Sequence, residues 1–259
     1  MKAIKVNLPR DIKIAEIHIF ADLHIGDNNC DIAGIKNRIE AVKSNKNAYC
    51  ILNGDIINNA TKTSVSDCYA EELSPMEQIE RFIELFEPIK DRIIAITSGN
   101  HENRTYNKEG VDITRICAKQ MGIEDKYSKT GAIIFLRIGD KKHKSHQDQQ
   151  VCYTIYSNHG SGGGRKEGAK VIRMADMSNI IDADIYIHSH THLPVIMKEA
   201  YYRTDRKNST FQIVDKLFVN TSAMLNYGGY GEAYEFKPNS KDCPVIYLSG
   251  TKKEFTAKL

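Results

Sequence analysis

The feature that most constrains the fold is a series of short, β-rich apolar segments that alternate with helical patterns. Between residues 32 and 42, isoleucine and valine recur at spacings of three and four, which is typical of one buried helix face. A second helical pattern follows Ser74, a predicted N-cap, with Pro75 at the first helical position. This alternation indicates βαβ units and a mostly parallel sheet. The strand candidates are AEIHIFA (15–21), AYCILN (48–53), RIIAITS (92–98) and DIYIHS (184–189).

A second sheet is expected beyond residue 130. GAIIFLRIGD and VCYTIYSN flank the polar stretch KKHKSHQDQQ, a pattern that predicts a β-hairpin with an exposed turn. Residues 166–181 have a helical pattern, and FQIVD, LFVNTSA and PVIYLSG are further strand candidates. No linker or repeat separates these parts, so we expect one domain over residues 1–259 with two packed sheets.

Composition indicates where the protein is located but does not identify its partners. The 259 residues are 41% hydrophobic, enough for a sizeable core, and a net charge of +3 favours neither nucleic acid nor a membrane as partner. No apolar stretch has the length of a membrane span, and the first twenty residues do not resemble a signal peptide. The six cysteines form no C-x-x-C pair, which favours reduced thiols and a cytoplasmic location.

Polar motifs follow the apolar segments at the points where a ligand is expected. In open α/β sheets, ligands bind beyond the carboxyl ends of the strands. Five motifs in order at such ends together predict a metal site, although each alone is common by chance. The motifs are ADLHIG with Asp22 and His24, NGDI with Asp55, SGNHE with Asn100, His101 and Glu102, SNHGSG with His159, and SHTH with His190 and His192.

These motifs resemble the calcineurin-like metallophosphoesterase superfamily, in which D-x-H, G-D, G-N-H-[DE], H and G-H-x-H occur in that order. The resemblance covers about residues 17–193 and is closer to a bacterial or phage branch than to a eukaryotic one. It implies an α/β fold, a four-layer α/β/β/α sandwich of two mixed sheets flanked by helices, with a dinuclear metal site at the carboxyl ends of the strands. By motif position, Asp22, His24 and His192 bind one ion, Asn100, His159 and His190 bind the other, and Asp55 bridges them.

The chemistry of this ligand set agrees with the resemblance. Imidazoles, carboxylates and one amide oxygen suit borderline divalent ions, and there is no thiolate to favour structural zinc. We expect two divalent metal ions, manganese first, with iron, zinc, cobalt or nickel as alternatives. A pair of ions about 3.5–4 Å apart can hold a bridging hydroxide near neutral pH and neutralise phosphoryl oxygens. The resemblance assigns His101 the role of general acid, whereas Glu102 either orients that ring or caps local backbone.

Several other residues near the motifs are candidates for structural or substrate-binding roles. His188 has no motif position, so we expect a structural role for it. Asn100, Arg104 and Arg165 are candidate contacts of a substrate phosphate, and the glycine-rich loop HGSGGGRKEGAK that carries Arg165 can equally be a flexible entry to a helix. Ser189 stands where the family usually has glycine, and a left-handed backbone there is unfavourable for serine.

The sequence therefore predicts a metal-dependent phosphoester hydrolase, and first of all a phosphodiesterase acting on nucleotides or nucleic acid. The diester preference rests on spare basic loop residues and on GDIINNA, which lacks the aspartate and arginine that follow G-D in the family's protein phosphatases. A phosphomonoesterase or nucleotide pyrophosphatase with the same dinuclear site is the alternative. A non-catalytic protein-binding scaffold, such as the retromer subunit of this superfamily, is disfavoured because His101 and every ligand are present.

Overall fold

The computed structural model describes residues 1–64, 66–141 and 149–259, with only the backbone of Lys141 and Tyr230. The predicted hairpin tip falls largely on residues 142–148, which lie outside the described residues. The strands are β1 (Lys2–Asn7), β2 (Ile14–Phe20), β3 (Ala48–Asn53), β4 (Ile93–Thr97), β5 (Tyr127–Ser128), β6 (Ala132–Lys141), β7 (Gln149–Ser157), β8 (Ile185–His188), β9 (Val195–Asp205), β10 (Thr210–Asn220), β11 (Val245–Ser249) and β12 (Phe255–Lys258). The α-helices are α1 (Ile32–Ser44), α2 (Pro75–Phe86), α3 (Asn100–Glu109), α4 (Ile113–Gln120), α5 (Glu167–Ala175) and α6 (Gly229–Ala233).

The strands form two six-stranded mixed sheets. Sheet 1 has the order β12-β11-β2-β3-β4-β5, and sheet 2 has the order β1-β6-β7-β8-β10-β9. Strands β2 to β5 are parallel to one another, and β7, β8 and β10 form a parallel group in sheet 2. Within the described ranges, no helix is both long and apolar enough to cross a membrane.

Three separate apolar clusters fill the spaces between four layers. The first packs helices α1, α2 and α4 on sheet 1 and includes Ile35 and Phe82. The second lies between the sheets and includes Ile19 and Leu217. The third, which includes Met174, packs α5 on the outer face of sheet 2. The predicted α/β/β/α sandwich of two mixed sheets flanked by helices is therefore confirmed.

The local helix signals are also confirmed. In α1, the Asp31 side chain accepts a hydrogen bond from the backbone N–H of Gly34 and thereby caps the first turn. Helix α2 begins after Ser74 in a capping box with Glu77, and Pro75 is its first residue. These caps fix where each helix leaves the loop that follows a sheet strand.

The pairing of strands departs from their order along the sequence at both ends of the chain. Strand β1 pairs with β6 and so joins sheet 2, while β11 and β12 return to the edge of sheet 1. The candidates FQIVD and LFVNTSA merge into the single strand β10, and the helical pattern over 166–181 is α5 followed by a short 3₁₀ turn over Asp176–Asn179. Long-range pairing of this kind has no local signal in the sequence.

Candidate metal centre

The carboxyl ends of the parallel strands of both sheets meet at one edge of the sandwich. In sheet 1, Asp22 and His24 follow β2, Asp55 follows β3, and Asn100 follows β4 as the first residue of α3. In sheet 2, the predicted histidines follow β7 and β8. This topology brings residues that are far apart in the sequence to one place, as expected for a ligand site in an α/β fold.

The side chains of the predicted ligands converge there. Two groups of three have ligand atoms that all lie within 4.8 Å of one another, namely Asp22, His24 and His192, and Asp55, His159 and His190. Oδ1 of Asn100 lies 3.1 Å from Nε2 of His159, which adds the amide to the second group. Both groups match the two ligand sets expected from the resemblance.

A third group joins the other two. His24, Asp55 and His101 also have ligand atoms within 4.8 Å of one another. Asp55 thus belongs to two groups, and its Oδ2 lies 3.1 Å from Nε2 of His159 and 3.7 Å from Nε2 of His101. This central position is the one expected for a bridging carboxylate.

Five of the predicted ligands have left-handed backbone conformations. The φ angle is 50° at Asp22, 49° at His24, 49° at Asp55, 66° at His190 and 54° at His192. For residues with a Cβ this conformation costs roughly 1–2 kcal/mol each. Such strain concentrates at functional sites, because the surrounding structure must hold the residues in place.

Glycine is required where two of these loops approach each other. A Cβ atom added to Gly99 would lie 2.1 Å from Oδ1 of Asp55, far inside van der Waals contact. Oδ1 of Asp55 accepts a hydrogen bond from the backbone N–H of His101 at 2.8 Å. The glycine therefore lets the start of α3 seat against the carboxylate.

Glu102 holds the same two loops together through their backbone. Its buried carboxylate accepts hydrogen bonds from the N–H groups of Gly99 at 2.7 Å, Asp55 at 3.1 Å, and Ile56 and Ile57 at 2.8 and 3.2 Å. Of the two roles left open by the sequence, the contacts correspond to the backbone role, since none of these bonds reaches the ring of His101. Burial and the charge of Asp55 raise the pKa of Glu102 to about 7.

Asn53 connects the two sheets directly beneath the centre. Its Oδ1 accepts hydrogen bonds from Thr97 at 3.0 Å and Ser157 at 2.8 Å, and its Nδ2 donates to Ser189 Oγ at 2.8 Å. The backbone carbonyl of Asn53 accepts a hydrogen bond from Nδ1 of His159 at 2.7 Å. Because a carbonyl only accepts, Nδ1 of His159 donates this hydrogen bond, and Nε2, which faces Asn100 and Asp55, is the ring atom that could bind a metal ion.

His101 is held in a defined tautomer in the same way. Its Nδ1 donates to the carbonyl of Asn58 at 2.6 Å, so Nε2 is the acceptor atom. Arg104 donates to that Nε2 from Nη2 at 3.0 Å, and its Nη1 donates to the carbonyl of Asn58 at 3.2 Å. The predicted general acid and a predicted phosphate contact are thus direct neighbours at the centre.

Burial and charge give these groups unusual acidities. Although burial opposes ionisation, the charges of His192 and His159 lower the pKa of Asp22 to about 2. Burial and the charge of His101 lower the pKa of His24 well below its usual value, which keeps this imidazole neutral. Burial also disfavours charge on His159, yet the carboxylates of Asp55 and Asp22 raise its pKa to about 10. The carboxylates are therefore ionised and attract positive charge.

The residues present fit divalent metal ions. Both ring nitrogens of His24 are buried and have no hydrogen-bond partner, whereas Oδ1 of Asp22, also buried, lies 3.2 Å from Nε2 of His192. Buried polar atoms are normally paired, so a buried imidazole with neither nitrogen bonded, beside the carboxylates of Asp22 and Asp55, fits a cation-binding site. Mixed nitrogen and oxygen donors are the ligands that manganese, iron, cobalt, nickel and zinc accept. Within the described part of the chain, these three linked groups are the ones with metal-ligand spacing.

Of the remaining predicted residues, His188 and Ser189 have structural roles, whereas Arg165 contacts a neighbouring surface segment. His188 ends β8, and its Nδ1 lies 2.7 Å from Oδ1 of Asn220, a contact between neighbouring strands that agrees with a structural role. Ser189 has no left-handed backbone conformation, so the serine in place of glycine is tolerated. Arg165 is exposed, donates to the carbonyl of Tyr234 at 3.1 Å and lies over the ring of Phe236. It fastens the segment around α6 to the glycine-rich loop.

Sequence reasoning missed two asparagines that organise the centre. Asn53 is a polar residue at the end of a fully buried strand. Asn220 ends β10 and donates from Nδ2 to Thr191 Oγ1 at 2.9 Å, beside the motif that carries His190 and His192. A polar residue at the last position of a strand, directly after an apolar segment, was the available signal.

Comparison with known proteins agrees with the motifs. The model of the calcineurin-like phosphoesterase family matches residues 15–194, a span that contains every predicted ligand. None of the curated proteins matches the chain significantly.

Similar solved structures come from several organisms. A conserved uncharacterized protein from Streptococcus pneumoniae, a predicted phosphoesterase, has 12% identity and a TM-score of 0.38, with 95% of this chain and 88% of that chain covered. Wild-type Vps29 from Entamoeba histolytica complexed with zinc has 9% identity and a TM-score of 0.38, with 94% and 97% covered. A metallophosphoesterase from Sphaerobacter thermophilus has 12% identity and a TM-score of 0.37, with 90% and 83% covered.

Proposed function

Because the chain belongs to the calcineurin-like phosphoesterase family, we propose that it is a metal-dependent phosphodiesterase that acts on nucleotides or nucleic acid. The observation that carries the proposal is the convergence of the two ligand groups around Asp55, with both buried ring nitrogens of His24 unpaired. A structural ion pair would leave no such atoms, because its partners would satisfy each other.

We propose that Asp22, His24 and His192 hold one divalent ion, that Asn100, His159 and His190 hold the other, and that Asp55 bridges them. Manganese is the first expectation, and iron, zinc, cobalt or nickel are alternatives. When bound, two such ions supply Lewis acidity that activates water and neutralises the phosphoryl oxygens. Asn53 and Glu102 keep the ligands in register through the backbone of their loops.

His101 is the proposed proton donor to the leaving oxygen, and Nε2 is the atom that transfers the proton. Its Nδ1 is engaged by the carbonyl of Asn58, so the ring cannot turn without losing that bond. When Nε2 carries a proton it no longer accepts from Arg104. The guanidinium is then available to a phosphate oxygen, which couples substrate binding to the donor form of His101.

The preference for diesters rests on the residues around this pair. Asn58 and Asn59 are buried beside His101 where the protein phosphatases of the family carry charged residues after G-D. Nδ2 of Asn59 donates to the backbone carbonyl of His101 at 2.6 Å and so joins the loop after β3 to the start of α3. Arg104 is the guanidinium that contacts His101, and we propose that this one added cation suits the single negative charge of a diester. Asn100 and Arg165 remain proposed substrate contacts.

The test compares hydrolysis of bis-p-nitrophenyl phosphate with that of p-nitrophenyl phosphate by metal-stripped protein to which Mn²⁺ is added. We expect faster diester cleavage that is lost in Asp55→Asn and kept in Asp176→Asn, an exposed aspartate on the helical layer. Faster monoester cleavage would favour the phosphatase alternative. Inactivity on both substrates would favour a nucleotide pyrophosphatase or a protein-binding scaffold. Salt dependence then separates substrates, since a nuclease that tracks several phosphates weakens steeply with salt.

We also propose that residues 1–259 form one domain in a cytoplasmic protein. Strands from both ends of the chain pair within the two sheets, since β1 pairs with β6 and β11 pairs with β2. All six cysteines are free thiols, which supports a reducing compartment.

A further inference from the structure

A two-stranded ribbon extends from sheet 2 on the side away from the metal centre. Strands β9 and β10 pair over their full length, from Val195 opposite Asn220 to Asp205 opposite Thr210. Strand β8 pairs with β10 only over Leu217–Asn220. The part of the ribbon formed by residues 199–216 therefore lies beyond β8.

One face of this ribbon carries exposed large apolar side chains. Tyr202, Phe211 and Ile213 have exposed fractions of 73%, 65% and 64%. Tyr202 lies opposite Ile213 in the register, and its ring contacts Phe211 edge to face at 5.3 Å. Phe211 and Ile213 share their face with Leu217, which is buried between the sheets, because residues two apart in a strand point the same way. The ribbon thus continues the face of the inter-sheet core into solvent.

A groove of about 870 Å³ lies beside this face. Ile14, at the start of β2, is 56% exposed and forms part of the opposite wall with Tyr247 and Phe255. Ile14 begins the strand whose carboxyl end leads to Asp22, so the groove and the metal centre lie at opposite ends of β2. Seven strand residues separate them by about 20 Å.

The charges around the groove are evenly divided in sign. The basic residues Lys198, Arg203 and Lys253 alternate with acidic ones, and the ion pairs Lys253–Asp184 at 2.9 Å and Lys198–Asp215 at 3.5 Å cross its floor and rim. A surface of this kind does not attract a polyanion or an acidic membrane. Because these charges balance and pair within the chain, the same surface on a second copy is not repelled, which permits a two-fold interface between identical chains.

We propose that a second copy of this chain docks on the groove, so that the apolar face of each ribbon packs against the groove of its partner. Tyrosine and phenylalanine bury about 150–250 Å² each when fully covered. Covering the exposed parts of Tyr202, Phe211, Ile213 and Ile14 on both copies removes on the order of 1,000 Å² from water, the lower limit for a specific interface. The interface is independent of the phosphodiesterase proposal because it uses none of the residues of the metal centre.

The test is sedimentation velocity and light scattering of the full chain at micromolar concentrations. We expect wild-type protein to be a dimer and the double variant Phe211→Asp/Ile213→Asp to raise the dimer Kd by about 30-fold or more. The matched control is Ile172→Asp/Ile180→Asp, which places the same charges at equally exposed positions of the helical layer. The control should remain a dimer, and both variants should keep the wild-type rate of diester hydrolysis.

Three outcomes would overturn the proposal: a monomeric wild-type protein, a dimer that survives the ribbon substitutions, or equal dissociation by the control. If the ribbon variant unfolds, Ile14→Asp tests the opposite wall of the groove from a different sheet, and a dimer that it leaves intact also contradicts the interface.

Discussion

Nη2 of Arg104 lies 3.0 Å from Nε2 of His101, and the other nitrogen of that ring donates to the carbonyl of Asn58. The guanidinium and a transferable proton therefore compete for one lone pair. Burial and the charge of Arg104 lower the pKa of His101, which agrees with this competition. A phosphate that draws Arg104 away makes the ring a better proton carrier.

Replacing Arg104 should impair catalysis without unfolding the protein. A hydrogen bond to a charged group contributes about 1.5–3 kcal/mol, so Arg104→Ala should lower kcat/KM for bis-p-nitrophenyl phosphate by about 10- to 100-fold. Arg104→Lys keeps the charge but not the forked geometry and should recover only part of the loss. Steady-state kinetics give the answer, with the exposed Arg115→Ala as control. Unchanged kcat/KM in Arg104→Ala would remove Arg104 from the site.

Substitution of His190 or His192 should lower the metal content of the protein, whereas substitution of His188 should not. His190→Ala and His192→Ala each remove a ligand of a different group, so each should lower the bound manganese measured by elemental analysis. His188→Asn should retain full metal content, because the contact of His188 is with Asn220. Its cost should appear as a lower free energy of unfolding. Loss of metal in His188→Asn at unchanged stability would contradict the structural role.

Glu102→Gln should weaken metal binding through the backbone. The amide keeps the shape of the side chain but puts an NH₂ group against N–H donors of the two loops, and since each carboxylate oxygen accepts two bonds, two of the four are lost. We expect a loss of about 1.5–3 kcal/mol of stability in urea titrations. Calorimetric titration should also show weaker manganese binding, which a substitution with a purely global effect, such as Ile39→Val in α1, should not.

Asn53→Leu should be among the most destabilising single changes near the centre. The leucine has a similar volume but leaves the hydroxyls of Thr97, Ser157 and Ser189 without their buried partner. Each unsatisfied buried group costs about 1–3 kcal/mol, so a total of several kcal/mol is expected in chemical denaturation. Thr97→Val, which removes a single hydroxyl from the same network, should cost much less. Equal losses would show that Asn53 does not act as a hub.

Much of this architecture could be predicted because its signals are local. The caps at Asp31 and Ser74 and the polar motifs at strand ends are each contained in a few consecutive residues. The seven predicted ligands came from those motifs, and the structure brings them together because parallel strands end at a common edge.

What could not be predicted depends on residues that meet only in three dimensions. The pairing of β1 with β6 spans more than a hundred residues and has no marker in either segment. Likewise, the contact of Arg104 with His101 depends on the path of the loop around Asn58, which composition does not specify. The exposure of the apolar face of the ribbon cannot be predicted from the sequence, because strands with a buried apolar face show the same alternation of apolar and polar residues.

Metal binding should raise the free energy of unfolding, by an amount set by the metal concentration relative to the Kd. A ligand at about one hundred times its Kd adds about 2.7 kcal/mol to the stability of a protein that binds it only when folded. For a chain of this size, that corresponds to a rise in Tm of about 5–10 °C. Metal-stripped protein should therefore melt at a higher temperature when Mn²⁺ is added, and a chelator should reverse the shift.

The same measurement of Tm with and without Mn²⁺, made on Asp55→Asn, distinguishes a specific metal centre from adventitious binding. This substitution neutralises the carboxylate shared by two ligand groups, so most of the rise in Tm should disappear. The unpaired ring nitrogens of His24 give the physical reason for a large effect in the native chain, because a metal ion supplies a partner that these buried atoms lack. If Asp55→Asn gained as much stability as the native chain, or if none of manganese, iron, zinc, cobalt and nickel raised the Tm, these residues would not form a metal centre.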